Sequence, residues 1–292
     1  MASMRDIKRR KESIQSTGQI TKAMKLVSTV KLQRAKSRAE NSKPYFDYMY
    51  EAVTTMLRKS SNIMHPYLTG NPEGNGKKAI IVISSNRGLA GGYNANIVKM
   101  VRNSGIGPED AVIYAIGRKG RDGLARFGYE IKADYSEVIN EPMFKDAVEI
   151  GSELLKAFSE GEISEIYLAY TVFKNTVTHI PTFIKLLPID PNLGKEDEKV
   201  EDAMEALTLM NYEPEPEEAL TLIIPKYINS LIYGALVESL ASENGARMQA
   251  MDSATNNAND MISNLELTYN RARQSAITQE ITEIIAGANA IN

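Results

Sequence analysis

Apolar and small residues recur at Met251, Ala254, Ala258, Met261, Leu265, Thr268, Ala272 and Ser275, at intervals of three and four in strict alternation. That pattern is the seam of a coiled coil, and it dictates that another helix must lie along this one. Many seam positions are Ala, Ser or Thr, so the partner can approach closely. The flanks carry Asn256, Asn257, Asn259, Asp260, Asn264 and Asn270, which are poor helix formers. A helix this polar is not stable alone, and something has to cover its seam.

The other end of the chain supplies the cover. From Ala2 to Arg58 there is one glycine, Gly18, and one proline, Pro44, which is expected to bend or interrupt a helix near Ser42 or Lys43. Apolar residues at Ile7, Ile14, Ile20, Ala23, Met24, Val27 and Val30 have helical spacing. At 1.5 Å per residue the N-terminal block spans roughly 60–80 Å and the C-terminal block about 110 Å. Two such helices separated by a globular segment can pair as an antiparallel coiled coil, with the longer C-terminal helix running past its partner as a tip.

Between them the sequence alternates strand-like and helix-like pieces. Ala79–Ser84, Ala111–Ile116, Tyr129–Asp134, Glu165–Tyr170 and Thr182–Leu187 read as strands, and Asn94–Arg102, Arg118–Phe127 and Phe144–Phe158 as helices. The expected fold class is therefore α/β: a long antiparallel coiled coil of the N- and C-terminal helices plus a central Rossmann-like open α/β domain. The expected segments are 1–60 for the N-terminal helix, 77–190 for the central domain and 215–292 for the C-terminal helix and tip. The stretch from His65 to Gly76 reads as a loop by its Gly, Pro and Asn content.

Composition removes several chemistries. The 292 residues include no cysteine, which excludes disulfides and thiolate sites, and only two histidines, His65 and His179, which read as loop and strand surface. No run approaches about 18 consecutive apolar residues, as a membrane span requires. The net charge of −3 gives no bias toward nucleic acid, yet it hides an asymmetry. Arg5, Lys8, Arg9, Arg10, Lys11, Lys22, Lys25, Lys31, Arg34, Lys36, Arg38 and Lys43 make the N-terminal block basic, and Glu196 to Glu218 form an acidic run. The first reads as a face for a negatively charged partner, the second as a solvated loop.

One segment invites a nucleotide. Asn86-Arg-Gly-Leu-Ala-Gly-Gly-Tyr-Asn94 follows the first strand and precedes a helix, where a glycine-rich loop can cradle phosphate. It matches neither G-x-G-x-x-G nor G-x-x-x-x-G-K-[ST]. Gly88, Gly91 and Gly92 read instead as allowing a tight turn and close helix–strand packing. No catalytic, cofactor or metal constellation stands out. A nucleotide-binding protein with helical arms and a coiled-coil scaffold remain the alternatives from the residues alone.

Three stretches go further. Ile20-Thr-Lys-Ala-Met-Lys-Leu-Val27 resembles the N-terminal helix of F-type ATP synthase gamma subunits of the bacterial type. Ile277-Thr-Gln-Glu-Ile-Thr-Glu-Ile-Ile-Ala-Gly-Ala288, with its lead-in Tyr269–Ser275, is similar to that family's C-terminal signature, and the glycine-rich turn is similar to its central domain. The resemblance implies a non-catalytic rotor shaft inside a ring of alpha and beta subunits. Its foot would meet the epsilon subunit and the membrane c ring, driven by proton flow. It implies beta-subunit contacts at Met24, Lys25, Arg273, Gln274, Thr278 and Glu280, and a peripheral place on the cytoplasmic face of a bacterial membrane without a span of its own. Some photosynthetic gamma subunits carry a cysteine-bearing regulatory insertion; a chain without cysteine is expected to lack thiol switching.

Overall fold

The computed structural model describes residues 4–59, 65–70, 76–190, 193 and 216–291. In chain order the elements are α1 (Met4–Lys59), α2 (Pro66–Thr69), β1 (Lys77–Ile83), α3 (Tyr93–Arg102), β2 (Ala111–Ile116) and α4 (Arg118–Ala125). There follow β3 (Glu130–Asp134), a 3-10 turn (Val138–Asn140), α5 (Phe144–Ser159), β4 (Ile163–Phe173), β5 (His179–Leu187) and α6 (Pro216–Ile291). They fall into two compact units, Val30–Ala246 and Met1–Thr29 with Arg247–Asn292.

The first unit holds a five-stranded sheet in the order β3-β2-β1-β4-β5. β1 pairs in parallel with β2 and β4, β2 pairs in parallel with β3, and β4–β5 is an antiparallel hairpin. Successive side chains of β1 point to opposite faces, and both faces are covered. Ala79, Ile81 and Ile83 join Ile150, Leu154 and Phe158 of α5, Val53 and Met56 of α1 and Ile224, Ile228 and Ile232 of α6. Ile80 and Val82 join Ile97 and Val101 of α3 and Leu124 of α4. That two-sided demand explains the unbroken apolar run. The edge strand β3 instead alternates, with Glu130, Lys132 and Asp134 exposed, and so carries charges that discourage further pairing. Opposite it, edge strand β5 accommodates Pro181.

Pro44, expected to bend or interrupt the helix, does not interrupt α1. A mid-helix proline costs about 3 kcal/mol. Val53, Met56 and Leu57 are all buried beyond it, and burial is worth about 1.5–3 kcal/mol for each such side chain, so packing outweighs the local cost. α6 likewise continues through Pro225. An 18-residue window of α6 is apolar enough to resemble a membrane span, but 56% of it is buried inside the chain, as in a core helix.

The glycine-rich turn has the tight turn expected of it but not the close helix–strand packing at Gly88 and Gly91. Gly91 adopts φ +55°, which the turn needs, but a Cβ at Gly88 or Gly91 would meet no described atom within 4 Å. The tight packing lies at the β2–α4 junction. A Cβ at Gly117 would fall 2.1 Å from the Ser84 carbonyl oxygen, and one at Gly120 would fall 2.7 Å from Ser84 Oγ. The buried Ser84 hydroxyl donates to the Gly117 carbonyl (3.0 Å) and accepts from the Gly120 N–H (2.8 Å). Ser84→Ala leaves both groups without that partner and is expected to cost about 1–3 kcal/mol, measurable by urea denaturation.

His65 is not loop surface but a buried cap. Its Nδ1 accepts from the Tyr67 N–H (3.1 Å) at the start of α2, and Nε2 lies 3.0 Å from Thr221 Oγ1. His179 is half-buried against Gly245 and Phe173, and burial lowers its pKa. Most of the acidic run (194–215) and part of the His65–Gly76 loop (71–75) lie outside the described residues.

Candidate functional site

In the second unit the N-terminal part of α1 and the C-terminal part of α6 run antiparallel. Lys11 pairs with Glu266 (2.7 Å), Gly18 faces Ala258, Thr21 Oγ1 lies 2.8 Å from Thr255 Oγ1, and Lys25 pairs with Asp252 (2.5 Å). Residue numbers rise on one helix as they fall on the other. A Cβ added at Gly18 would stand 3.4 Å from that of Ala258, so the backbones approach closely there. Each threonine hydroxyl also bonds its own helix, Thr21 to the Gly18 carbonyl (3.0 Å) and Thr255 to that of Met251 (2.8 Å). The seam is thus small and partly polar, as the Ala, Ser and Thr content required.

From Met261 onward its register is shifted on every second position. Met251 and Ala258 are buried and Ala254, Leu265 and Ala272 half-buried, in line with the sequence reading. Met261 is 53% exposed, and Thr268 and Ser275 are exposed; Ile262, Tyr269 and Ala276 are the half-buried residues instead. Steps of three then four, and of four then three, have the same 3.5 period, so periodicity alone does not choose between them. The partner does, and it covers the side bearing Ile262 and Tyr269.

α1 shows a similar division. Ile7, Thr21 and Ser28 are buried and Ile14 and Met24 half-buried, whereas Ile20 (58%), Leu26 (61%) and Val27 (58%) are exposed with Ala23. The exposed cations Arg5, Lys8, Arg9, Arg10 and Lys22 lie on the same stretch. So the helix has one apolar face for α6 and a second, solvent-facing one. The sequence signal was present: seven apolar positions over 24 residues are too widely spread for one stripe.

Beyond Ala276 the helix changes character. Every residue from 277 to 289 is exposed, including Ile277, Ile281, Ile284 and Ile285 at 49–71%. Among the described residues nothing covers this segment, which presents an apolar stripe to its surroundings.

The predicted contact residues fall into two groups on this unit. Met24 and Lys25 are half-buried in the paired region, and the Lys25 ammonium is held by Asp252. This half-exposed pair, screened by solvent, is worth less than about 1 kcal/mol. Arg273, Gln274, Thr278 and Glu280 are exposed on either side of the point where the uncovered segment begins, and Thr278 Oγ1 donates to the Gln274 carbonyl (2.9 Å). The structure does not bring the groups together: Asp252 and Arg273 are about 30 Å apart along α6 at 1.5 Å per residue.

The glycine-rich turn of the sheet-bearing unit closes on itself. Asn94 Oδ1 accepts from the Ser85 N–H (3.0 Å), Ser85 Oγ donates to the Arg87 carbonyl (2.5 Å), and Asn86 Oδ1 accepts from the Arg118 N–H (3.0 Å). Side chains of the loop thus occupy donors that a phosphate would otherwise engage.

Comparison with known proteins agrees with this geometry. The family model described as ATP synthase matches residues 3–291. The ATP synthase gamma chain of Lachnoclostridium phytofermentans is 74% identical over the whole of both chains, and the gamma chain of Acetobacterium woodii, named sodium ion specific, is 42% identical over 99% of each. Among solved structures, a Tetrahymena thermophila mitochondrial ATP synthase central stalk chain is 27% identical, with TM-score 0.56 over 80% of this chain and 99% of its own. A Euglena gracilis mitochondrial ATP synthase chain, at 18% identity, shares the fold with TM-score 0.70 over 99% of this chain and 94% of its own. The antiparallel helix pair, the uncovered apolar end of α6 and the 3-2-1-4-5 sheet are the frame on which this similarity is laid, and the chain belongs to the gamma-chain family of F-type ATP synthases.

Proposed function

We propose that this chain is the central rotor shaft of an F-type ATP synthase, coupling proton-driven rotation of a membrane c ring to conformational change in catalytic beta subunits. The observation that carries the reading is the end of α6: an exposed apolar stripe, Ile277 to Ile285, on a helix whose preceding stretch is paired. A soluble chain exposes such a stripe where another protein covers it. The chain is a non-catalytic subunit of that complex. Its work is conformational, since each orientation of the shaft must stabilise one beta conformation over another for torque to become binding energy.

On this reading Met24, Lys25, Arg273, Gln274, Thr278 and Glu280 meet the beta subunits. The segment 77–190 is the foot toward the epsilon subunit and the c ring, between the shaft segments 1–60 and 215–292. The complex sits at the membrane, with this subunit peripheral on the cytoplasmic face.

Mixing the purified chain with alpha and beta subunits is expected to give one copy per alpha–beta hexamer, counted by native mass spectrometry. A hexamer that never retains the chain overturns the proposal. Within an assembled complex, Arg273→Ala with Gln274→Ala is expected to leave the chain's thermal unfolding unchanged. Coupled ATP synthesis should fall about fivefold, as for loss of about 1 kcal/mol at an exposed contact.

A further inference from the structure

In the sheet-bearing unit, α1, β4, β5 and α6 line an open pocket of about 390 Å³. Phe46, Leu168, Phe173, Ile184 and Leu231 make much of its wall apolar, and Glu238 of α6 lines it as well. The Glu238 Oε2 atom is fully buried and has no hydrogen-bond partner among the described residues. At that oxygen a charged carboxylate gives up hydration without replacement, which favours the protonated form. Burial accordingly raises the Glu238 pKa, and the positive charge of Lys43 acts in the opposite direction.

The other ionisable groups around the cavity are Lys36, Glu40, Lys43 and Asp47 from α1, Tyr170 from β4 and Lys174 just after it, while β5 contributes the apolar Ile184. Lys36 is paired with Glu40 (3.7 Å) and Lys43 with Asp47 (3.0 Å), each one turn away on α1. Tyr170 is pushed up to about 12 by burial and then by the Glu238 charge, so its phenol remains protonated across the physiological range. Gly234 lines the same cavity one turn before Glu238, and a Cβ there would meet no described atom within 4 Å. This mid-helix glycine has no packing reason to be small, and it leaves room in which a lysine side chain can move.

We propose that Glu238 is a proton-binding site that makes cohesion of α1, β4 and α6 respond to pH, Lys43 exchanging Asp47 for Glu238 when the proton leaves to solvent. The sign follows from linkage. Above the ordinary glutamate pKa the unfolded chain releases this proton while the folded chain retains it. The stabilisation is therefore fully present at low pH and is lost as pH rises toward the raised folded-state value, by at most tenfold in the folding constant per pH unit. Acid tightens the seam; alkali loosens it.

The test uses the full chain in two measurements. Carbon-13 NMR of the glutamate carboxyls between pH 4.5 and 9 should show Glu238 titrating above the other glutamates. In urea denaturation, the folding constant of wild type relative to Glu238→Gln should fall steadily from pH 5 to pH 8, and a ratio that stays level or rises overturns the proposal. Asp47→Asn frees Lys43 and should lower the Glu238 midpoint, and Lys43→Met should raise it. A midpoint at or below that of an exposed glutamate overturns the proton site, and this wild-type measurement stands even if Glu238→Gln does not fold. A midpoint indifferent to both Lys43→Met and Asp47→Asn overturns the exchange.

Discussion

Gly117→Ala is expected to destabilise the sheet-bearing unit by about 3–5 kcal/mol, the sum of backbone strain and a collision that cannot be relieved locally. Gly117 adopts φ +111° and ψ +130°, where a side chain is strained. An added Cβ would lie 2.1 Å from the Ser84 carbonyl oxygen and 2.5 Å from its carbon. The obstacle is backbone, and it belongs to the junction where the Ser84 N–H bonds the Ile116 carbonyl (2.7 Å). Relief therefore means breaking β1–β2 pairing at its end. Gly105→Ala is the matched control: its φ is +81°, but a Cβ meets no described atom within 4 Å, so strain alone remains, about 1 kcal/mol. Urea midpoints for the two variants separate strain from collision. Equal losses would refute the packing account of this junction.

The second large effect is functional and leaves the fold alone. Replacing Ile281, Ile284 and Ile285 together by aspartate should shift the melting temperature of the isolated chain by no more than about 2 °C, because all three side chains are more than half exposed. In the assembled synthase the same triple change should lower coupled ATP synthesis more than tenfold, since charges replace the apolar stripe where a partner would have to desolvate them. Hydrolysis by the ring persists, because the paired part of the shaft is intact. Wild-type coupling in the triple variant would remove this end of α6 from the transmission of torque.

Much of the fold was legible because its signals are local. Ala111–Ile116 was read with its observed limits, since a short β-rich run bounded by turn residues leaves little choice. The coiled-coil seam was legible in period but not in phase. Met261, Thr268 and Ser275 satisfied the pattern as well as Ile262, Tyr269 and Ala276 did, and only the position of α1 decided between them. That α1 runs on through Pro44 has a related reason: the local penalty is visible in sequence, whereas the burial of Val53, Met56 and Leu57 that outweighs it is not. Among the six contact residues named from family resemblance, nothing local to Lys25 signals that Asp252, 227 positions away, holds its ammonium.

The antiparallel pairing was therefore a matter of sequence: two long helices too polar to stand alone, with a globular segment between them, have each other as the nearest apolar surface. Composition by itself also removed thiol chemistry. Tertiary structure decided what depends on distant groups meeting. It set which alternate seam residues turn inward, moved the tight helix–strand packing from the glycine-rich turn to Gly117 and Gly120, and made His65 a buried cap. It also left the Glu238 Oε2 atom buried without a hydrogen-bond partner among the described residues. In each case the deciding energy, a steric clash, a desolvated charge or a buried side chain, belongs to a pair of atoms far apart in the chain, and no window of sequence contains both.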